Sequence, residues 1–199
     1  MSIRIYVEGG AAGSKNDCRR AFRKFLEKVI PASSFQVIAS GDRASTYRDF
    51  CIALKQHRQD YVILLVDSEE AVSQSAWIHL SERMGDHWRR PAGTNDDQAQ
   101  LMVQVMESWF LADETNLSEF YGQGFLPNSL PRTNNIETVE KARIFQILAH
   151  VTRNTQKGEY HKTRHAFRLL ERLEPATISA KSIHAELLFT SLRNLSAAL

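Results

Sequence analysis

The chain has 199 residues, 43% of them hydrophobic and 24% charged, with a formal net charge of +2. That length suits one ample domain, or a core with a helical extension, and the apolar fraction supports a sizeable core. No run of about 18 apolar residues occurs, which excludes a membrane-spanning helix; the opening Met1-Ser2-Ile3-Arg4 lacks a signal-peptide pattern, and Cys18 and Cys51 read as core thiols of a cytoplasmic protein rather than a disulfide.

A first strand is predicted over residues 2–7. The spacing of Cys18, Phe22, Phe25, Leu26, Val29 and Ile30 then predicts a helix from Ser14 to Ile30. Ser14 and Asp17 read as its capping box, and Pro31 stops it. A strand at 35–39 precedes a helix at 43–57, with Tyr47, Phe50, Cys51 and Leu54 facing inward. Residues 61–66 are apolar throughout, as a central parallel strand covered on both faces should be. A helix at 75–84 presents Trp77, Leu80 and Met84, and a polar loop spans 85–97. A fourth strand at 100–106 runs into a short helix at 107–113. This alternation predicts an open, mostly parallel four-stranded Rossmann-like α/β sheet with helices on both faces. Beyond Gly122 the texture changes. Pro127 and Pro131 interrupt it, and helices follow at 136–152, 162–173 and 180–195, the last with Ile183, Leu187, Leu188, Leu192 and Leu195 in register. The expected division is an α/β core at 1–122 and a helical C-terminal extension at 123–199 packed on it.

Two of the strands stop on carboxylates. Val7 is followed by Glu8-Gly9-Gly10, and Val66 by Asp67-Ser68-Glu69-Glu70. Parallel strands share their carboxyl edge, where ligands bind. Glu8, Asp67 and Glu69 should therefore converge, and a hard divalent cation such as Mg²⁺ or Mn²⁺ would relieve their repulsion. Glu107, after the fourth strand, is a further candidate ligand. The competing reading is that these acids cap or solvate nearby helix starts. Gly9 to Lys15 is no nucleotide phosphate loop, since three residues rather than four separate Gly9 from Gly13 and Ser14 precedes the lysine. Charge is uneven along the chain: Asp67 to Glu119 holds eleven acids against three arginines, and Lys141 to Arg172 holds eight bases against two glutamates. An acidic centre with a basic flank suits a metal site beside a polyanion surface. Lys15, Arg19, Lys157 and Lys162 are the candidate phosphate contacts, and His165 a candidate contact or proton carrier. His161 and His165 share a helix face, but no third ligand completes a zinc set.

Val7-Glu8-Gly9 and Asp67-Ser68-Glu69 resemble the Toprim domain of topoisomerases, bacterial primases, small RNA-maturation nucleases and the overcoming-lysogenization-defect nucleases. The resemblance covers roughly residues 1–115. It implies acid/base catalysis by Glu8 and Mg²⁺ binding by Asp67 and Glu69, although Glu69 stands where the family has a second aspartate. The chain is also similar, nearly throughout, to Toprim-like bacterial proteins encoded beside an ATPase in defence-type loci. That likeness rests on Cys18-Arg19, Met106-Glu107-Ser108-Trp109-Phe110, Lys157 through Tyr160 to Lys162, and Ser182-Ile183-His184. It implies a metal-dependent nuclease acting on DNA or RNA in antiviral defence, or else a non-catalytic partner subunit of the ATPase. A receiver-like signalling domain using Asp67 fits less well, because of the helical tail and of Glu8 directly before two glycines. Homo-oligomerisation is left open.

Overall fold

In a computed structural model of the chain, residues 2–9 and 15–199 are described. The strands are β1 (Ile3–Glu8), β2 (Phe35–Gly41), β3 (Tyr61–Asp67) and β4 (Ala99–Met102). They form one all-parallel sheet in the order β2-β1-β3-β4. Three helices alternate with them, α1 (Lys15–Leu26), α2 (Arg43–Gln56) and α3 (Ala76–Glu82). The period-2 pleat sorts the strand side chains onto two faces. Ile3, Ile5, Val7, Ile63 and Leu65 pack against α1 and the C-terminal helices. Tyr6, Val62, Leu64 and Val66 pack against α2 and α3. This is the α/β arrangement expected from the alternating pattern.

The C-terminal region comprises α4 (Ser108–Ala112), α5 (Glu114–Tyr121), α6 (Lys141–Thr152), α7 (Lys162–Leu170), α8 (Pro175–Ser179) and α9 (Ile183–Ala197). Its apolar side chains continue the α1 face of the core, from Phe110 and Leu117 to Leu188 and Leu192. Helix α7 lies on α1, and α9 lies beside β4. No described helix is long and apolar enough to cross a membrane. Cys18 is buried and Cys51 half-buried, both as free thiols.

Several boundaries depart from the sequence expectation. The fourth strand ends at Met102 rather than Met106, because the chain bends at Val103 and Gln104. Helix α3 ends at Glu82, so Met84 falls outside the apolar stripe and is 89% exposed. Helix α1 ends at Leu26, where its last amides shorten to bonds three residues back, Lys28 to Phe25 and Val29 to Leu26. Ile183 and Leu187 are exposed although Leu188 and Leu192 of the same helix are buried. Helices α5 and α8 were not anticipated, being too short for a periodic signal. The expected cap at Ser14 and the glycine turn before it lie outside the described residues.

Candidate metal centre

Strand order decides where the carboxylates meet. From β1 the chain crosses to β2 on one side; from β3 it crosses to β4 on the other. The connections therefore diverge between β1 and β3, which leaves a crevice at their carboxyl ends. Glu8 is the last residue of β1 and Asp67 the last of β3. The pairing of β1 with β2 slips here, Val7 facing Ala39 but Glu8 facing Gly41. Such a bulge re-aims the side chains at a strand end. Gly41, at φ +109°, takes a backbone conformation that favours glycine.

Two main-chain bonds shape the loop beyond β3. Ser68 N donates to Met102 O at 3.0 Å, and Glu69 N donates to Gln104 O at 2.7 Å. Glu69 itself sits at φ +69°, an uncommon conformation for a non-glycine residue that turns the chain back at the strand end. As a result Glu8, Asp67 and Glu69 each place a carboxylate oxygen within 4.8 Å of the others. Hard oxygen donors so grouped could hold a metal ion.

Glu107 forms the floor. It is fully buried. Met106 N, beside it, donates to Asp67 Oδ1 at 2.8 Å and ties its turn to β3. Glu107 Oε1 accepts from the Tyr160 hydroxyl at 3.0 Å and lies 3.4 Å from Lys162 Nζ. Its Oε2 is buried with no hydrogen-bond partner among the described residues. An orphaned buried carboxylate oxygen is costly, and an unplaced ligand or ion is one explanation for it.

Three cations ring the acids. The Arg43 guanidinium donates to Glu8 Oε2 at 2.9 Å and to the Asp67 carbonyl, and holds both oxygens of Asp86 at 2.7 Å. Lys141 pairs with Glu69. Lys162 reaches Glu107 from the start of α7. Arg83 shares Asp86 with Arg43, so Glu8, Glu69 and Glu107 each have a cation beside them and Asp67 has no cation on its carboxylate among the described residues.

Burial and crowding set the electrostatics of these groups. Burial, then repulsion from Glu8 and Glu107, holds the Asp67 carboxyl well above its ordinary value. Burial also raises Glu8, against the opposing pull of Arg43. Burial works against the charge of Lys162, but Glu107, Asp67 and Glu8 outweigh it and hold the ammonium above its usual value. Burial, assisted by Asp67, pushes the Cys18 thiol up to about 12, so it stays protonated in the metal-free protein.

The chain matches, over residues 7–193, a family described as a domain of unknown function. It belongs to the DUF4276 family. The DUF4276 match takes in the four acids and the three cations, and so covers the sheet edge together with the helices that close it. No curated protein and no solved structure matches the chain.

Of the residues singled out from the DUF4276 sequence, Glu8, Asp67 and Glu69 come together, with Glu107 and Lys162 beside them. The other basic candidates make no ion pair with these acids among the described residues. Lys157 lies over the Phe120 ring at 5.3 Å. Arg19 is exposed and lines a cleft with Arg20 and Arg23 over the β2 edge. Lys15 lies against Gly41. His165 is buried rather than presented to a phosphate. Its Nδ1 accepts from His161 N at 3.2 Å and meets the Tyr121 hydroxyl at 3.0 Å. That accepting role requires the neutral tautomer with its proton on Nε2, and burial with nearby Arg164, His161 and Arg168 lowers its pKa. Arg43, Lys141 and Tyr160 were missed as site residues. Arg43 lies two residues past the end of β2, so the edge rule that found Glu8 could also have found it; Tyr160 stood only within the Lys157 to Lys162 likeness, and Lys141 carries no local signal.

Proposed function

We propose that this protein is a divalent-cation-dependent phosphoryl-transfer enzyme, a nuclease that cleaves phosphodiester bonds of DNA or RNA. The observation that carries this reading is the convergence of Glu8, Asp67 and Glu69 at the crevice between β1 and β3, above the buried Glu107. The resemblance of the two strand ends to the Toprim domain points the same way.

Asp67, Glu69 and Glu107 would hold Mg²⁺ or Mn²⁺, with Glu8 as a further ligand or as the base. Bound there, the ion would polarise a scissile phosphate and favour ionisation of water. Glu8 Oε1, the oxygen that Arg43 leaves free, takes the proton of the attacking water. Burial raises the affinity of Glu8 for protons, the direction that a base requires. Lys162 offers its ammonium to the phosphate at the mouth of the acids and contributes affinity without base specificity. An ATPase partner in antiviral defence is the setting the wider resemblance suggests.

One observation favours a second reading. Arg43 and Lys141 already pair with Glu8 and Glu69, as they would in a vestigial site of a non-catalytic ATPase partner. The two readings separate in one experiment. Purified protein is incubated with single- and double-stranded DNA and RNA in Mg²⁺, Mn²⁺ or EDTA, and its melting is followed in parallel. The enzyme reading expects cleavage that EDTA stops and a stability gain on adding Mn²⁺. No cleavage of any substrate and no Mn²⁺-dependent stabilisation would overturn it.

A further inference from the structure

We infer that Arg43 is a positioning residue, which fixes the Glu8 carboxylate and the end of β3 so that the acids meet one cation in a single geometry. The inference rests on the metal-site reading above and adds what holds that site in shape.

The guanidinium is almost fully engaged. Its Nε and Nη2 grip the two oxygens of Asp86, and its Nη1 spans Glu8 Oε2 on β1 and the Asp67 carbonyl on β3. Its flat face lies 4.9 Å from the Trp88 ring, which stacks in turn on Tyr47 at 4.4 Å and 5°. Four of the five guanidinium N–H bonds are therefore taken, and little remains for a substrate. The backbone that carries Arg43 is also fixed. Gly9 N donates to Gly41 O at 2.9 Å, and Asp42 caps α2 by accepting from Ser45 N at 2.8 Å.

Asp86 anchors the far side. Its side chain is 1% exposed and also pairs with Arg83 at 3.1 Å. A buried ion pair of this kind is weak evidence of stability, since well-packed apolar groups would do as well. What an apolar pair cannot do is hold a carboxylate on one strand in register with the main chain of another. An arginine fork can, because its donors are coplanar and rigidly spaced.

The sign of the effect separates positioning from plain neutralisation. A cation that only neutralised Glu8 would compete with a metal, and its removal would tighten metal binding. A positioning cation gives the opposite result. Groups that hydrogen-bond to metal ligands typically carry about 10–100-fold in affinity.

The test is Mn²⁺ binding to the full chain, read by the electron spin resonance of free Mn²⁺, with melting curves for every variant. Arg43→Gln is expected to weaken binding by about 10–100-fold. Arg43→Lys is expected to fail as well, because the three donors of an ammonium cannot reproduce a planar fork over four acceptor oxygens. Sub-denaturing guanidinium ion, and not ammonium ion at equal ionic strength, should restore binding to Arg43→Ala. If the Arg43 variants do not fold, Asp86→Asn decides, with a loss in the same direction. Unchanged or tighter Mn²⁺ binding in the folded variants overturns the positioning role while leaving the metal site in place. Absence of Mn²⁺ binding by the unaltered protein overturns both.

Discussion

The hydroxyl of Tyr160 donates to the buried Oε1 of Glu107 at 3.0 Å, across 53 residues of chain. This bond joins the C-terminal helices to the edge of the sheet. Burial and Glu107 together hold the phenol protonated, so it remains a donor at any ordinary pH. Tyr160→Phe keeps the ring contact with Phe110 and removes only the donor. Glu107 would then be a buried carboxylate with Lys162 as its sole described partner. The expected cost is about 1–3 kcal/mol in metal-free protein, measured by denaturant unfolding in EDTA. The deficit should shrink in Mn²⁺, if the ion supplies Glu107 with a new partner. An equal loss in both conditions would count against Glu107 as a ligand.

Asp67→Asn and Glu8→Gln test the acids themselves. The asparagine can still accept from Met106 N through its side-chain oxygen, and the glutamine can still accept from Arg43. Both folds should survive, and removing one charge from a crowded carboxylate set should leave metal-free stability equal or higher. Cleavage should fall to background, and Mn²⁺ stabilisation should be lost in Asp67→Asn. Full activity of both variants in protein free of contaminating nuclease would end the proposed mechanism.

The raised Asp67 carboxyl also makes a statement about pH. Its ordinary value is 3.8, and in the folded protein burial, Glu8 and Glu107 hold it well above that. The folded state therefore binds this proton more tightly than the unfolded state. The resulting stability is fully present below the ordinary value and is lost as pH rises through the folded value. Asp86, Glu137 and Glu171 are held low by their partners and act in the opposite sense, contributing stability that disappears as pH falls. Comparison with Asp67→Asn isolates the first effect. In EDTA, the variant should gain stability relative to the unaltered protein as pH rises from about 4 to 7. A difference that stays constant over that range would show that Asp67 is not perturbed.

The sheet and the meeting of Glu8 with Asp67 were legible because both rest on local patterns. An apolar run that ends on an acid marks a parallel strand and its carboxyl edge, and the edge rule needs no knowledge of the tail. Lys141, Tyr160 and Asp86 were not legible. Lys141 and Tyr160 reach the acids from α6 and from the segment before α7, and Asp86 reaches Arg43 from the loop after α3; no helical or strand period encodes that approach. His165 shows the converse failure. It lies in a stretch dense in donors, yet its ring is buried in an aromatic cluster with Phe120 and Tyr121, where Nδ1 meets the Tyr121 hydroxyl. Met84 misled because helical spacing continues past Glu82 in the sequence, whereas the chain turns out at Arg83.

Ser182, Glu137 and His184 carry the residue types of a hydrolase triad in the wrong order of contact. Glu137 stands in the middle, accepting from Ser182 Oγ at 2.6 Å and from His184 N at 2.8 Å, with His184 Nδ1 at 2.9 Å. The serine hydroxyl is spent on a carboxylate, not poised against an imidazole, so it cannot be activated as a nucleophile. Its other bond, from Ala185 N at 3.1 Å, caps α9. The group is a clamp that holds the start of α9 to the 136–138 turn, where Gln104 Nε2 also reaches the Glu137 carbonyl. Ser182→Ala should therefore cost about 0.5–2 kcal/mol of stability through the lost cap. It should leave Mn²⁺ binding and any nuclease activity unchanged at temperatures below the melt, and a fluorophosphonate probe should label neither protein. Labelling that vanishes in Ser182→Ala would overturn the structural assignment.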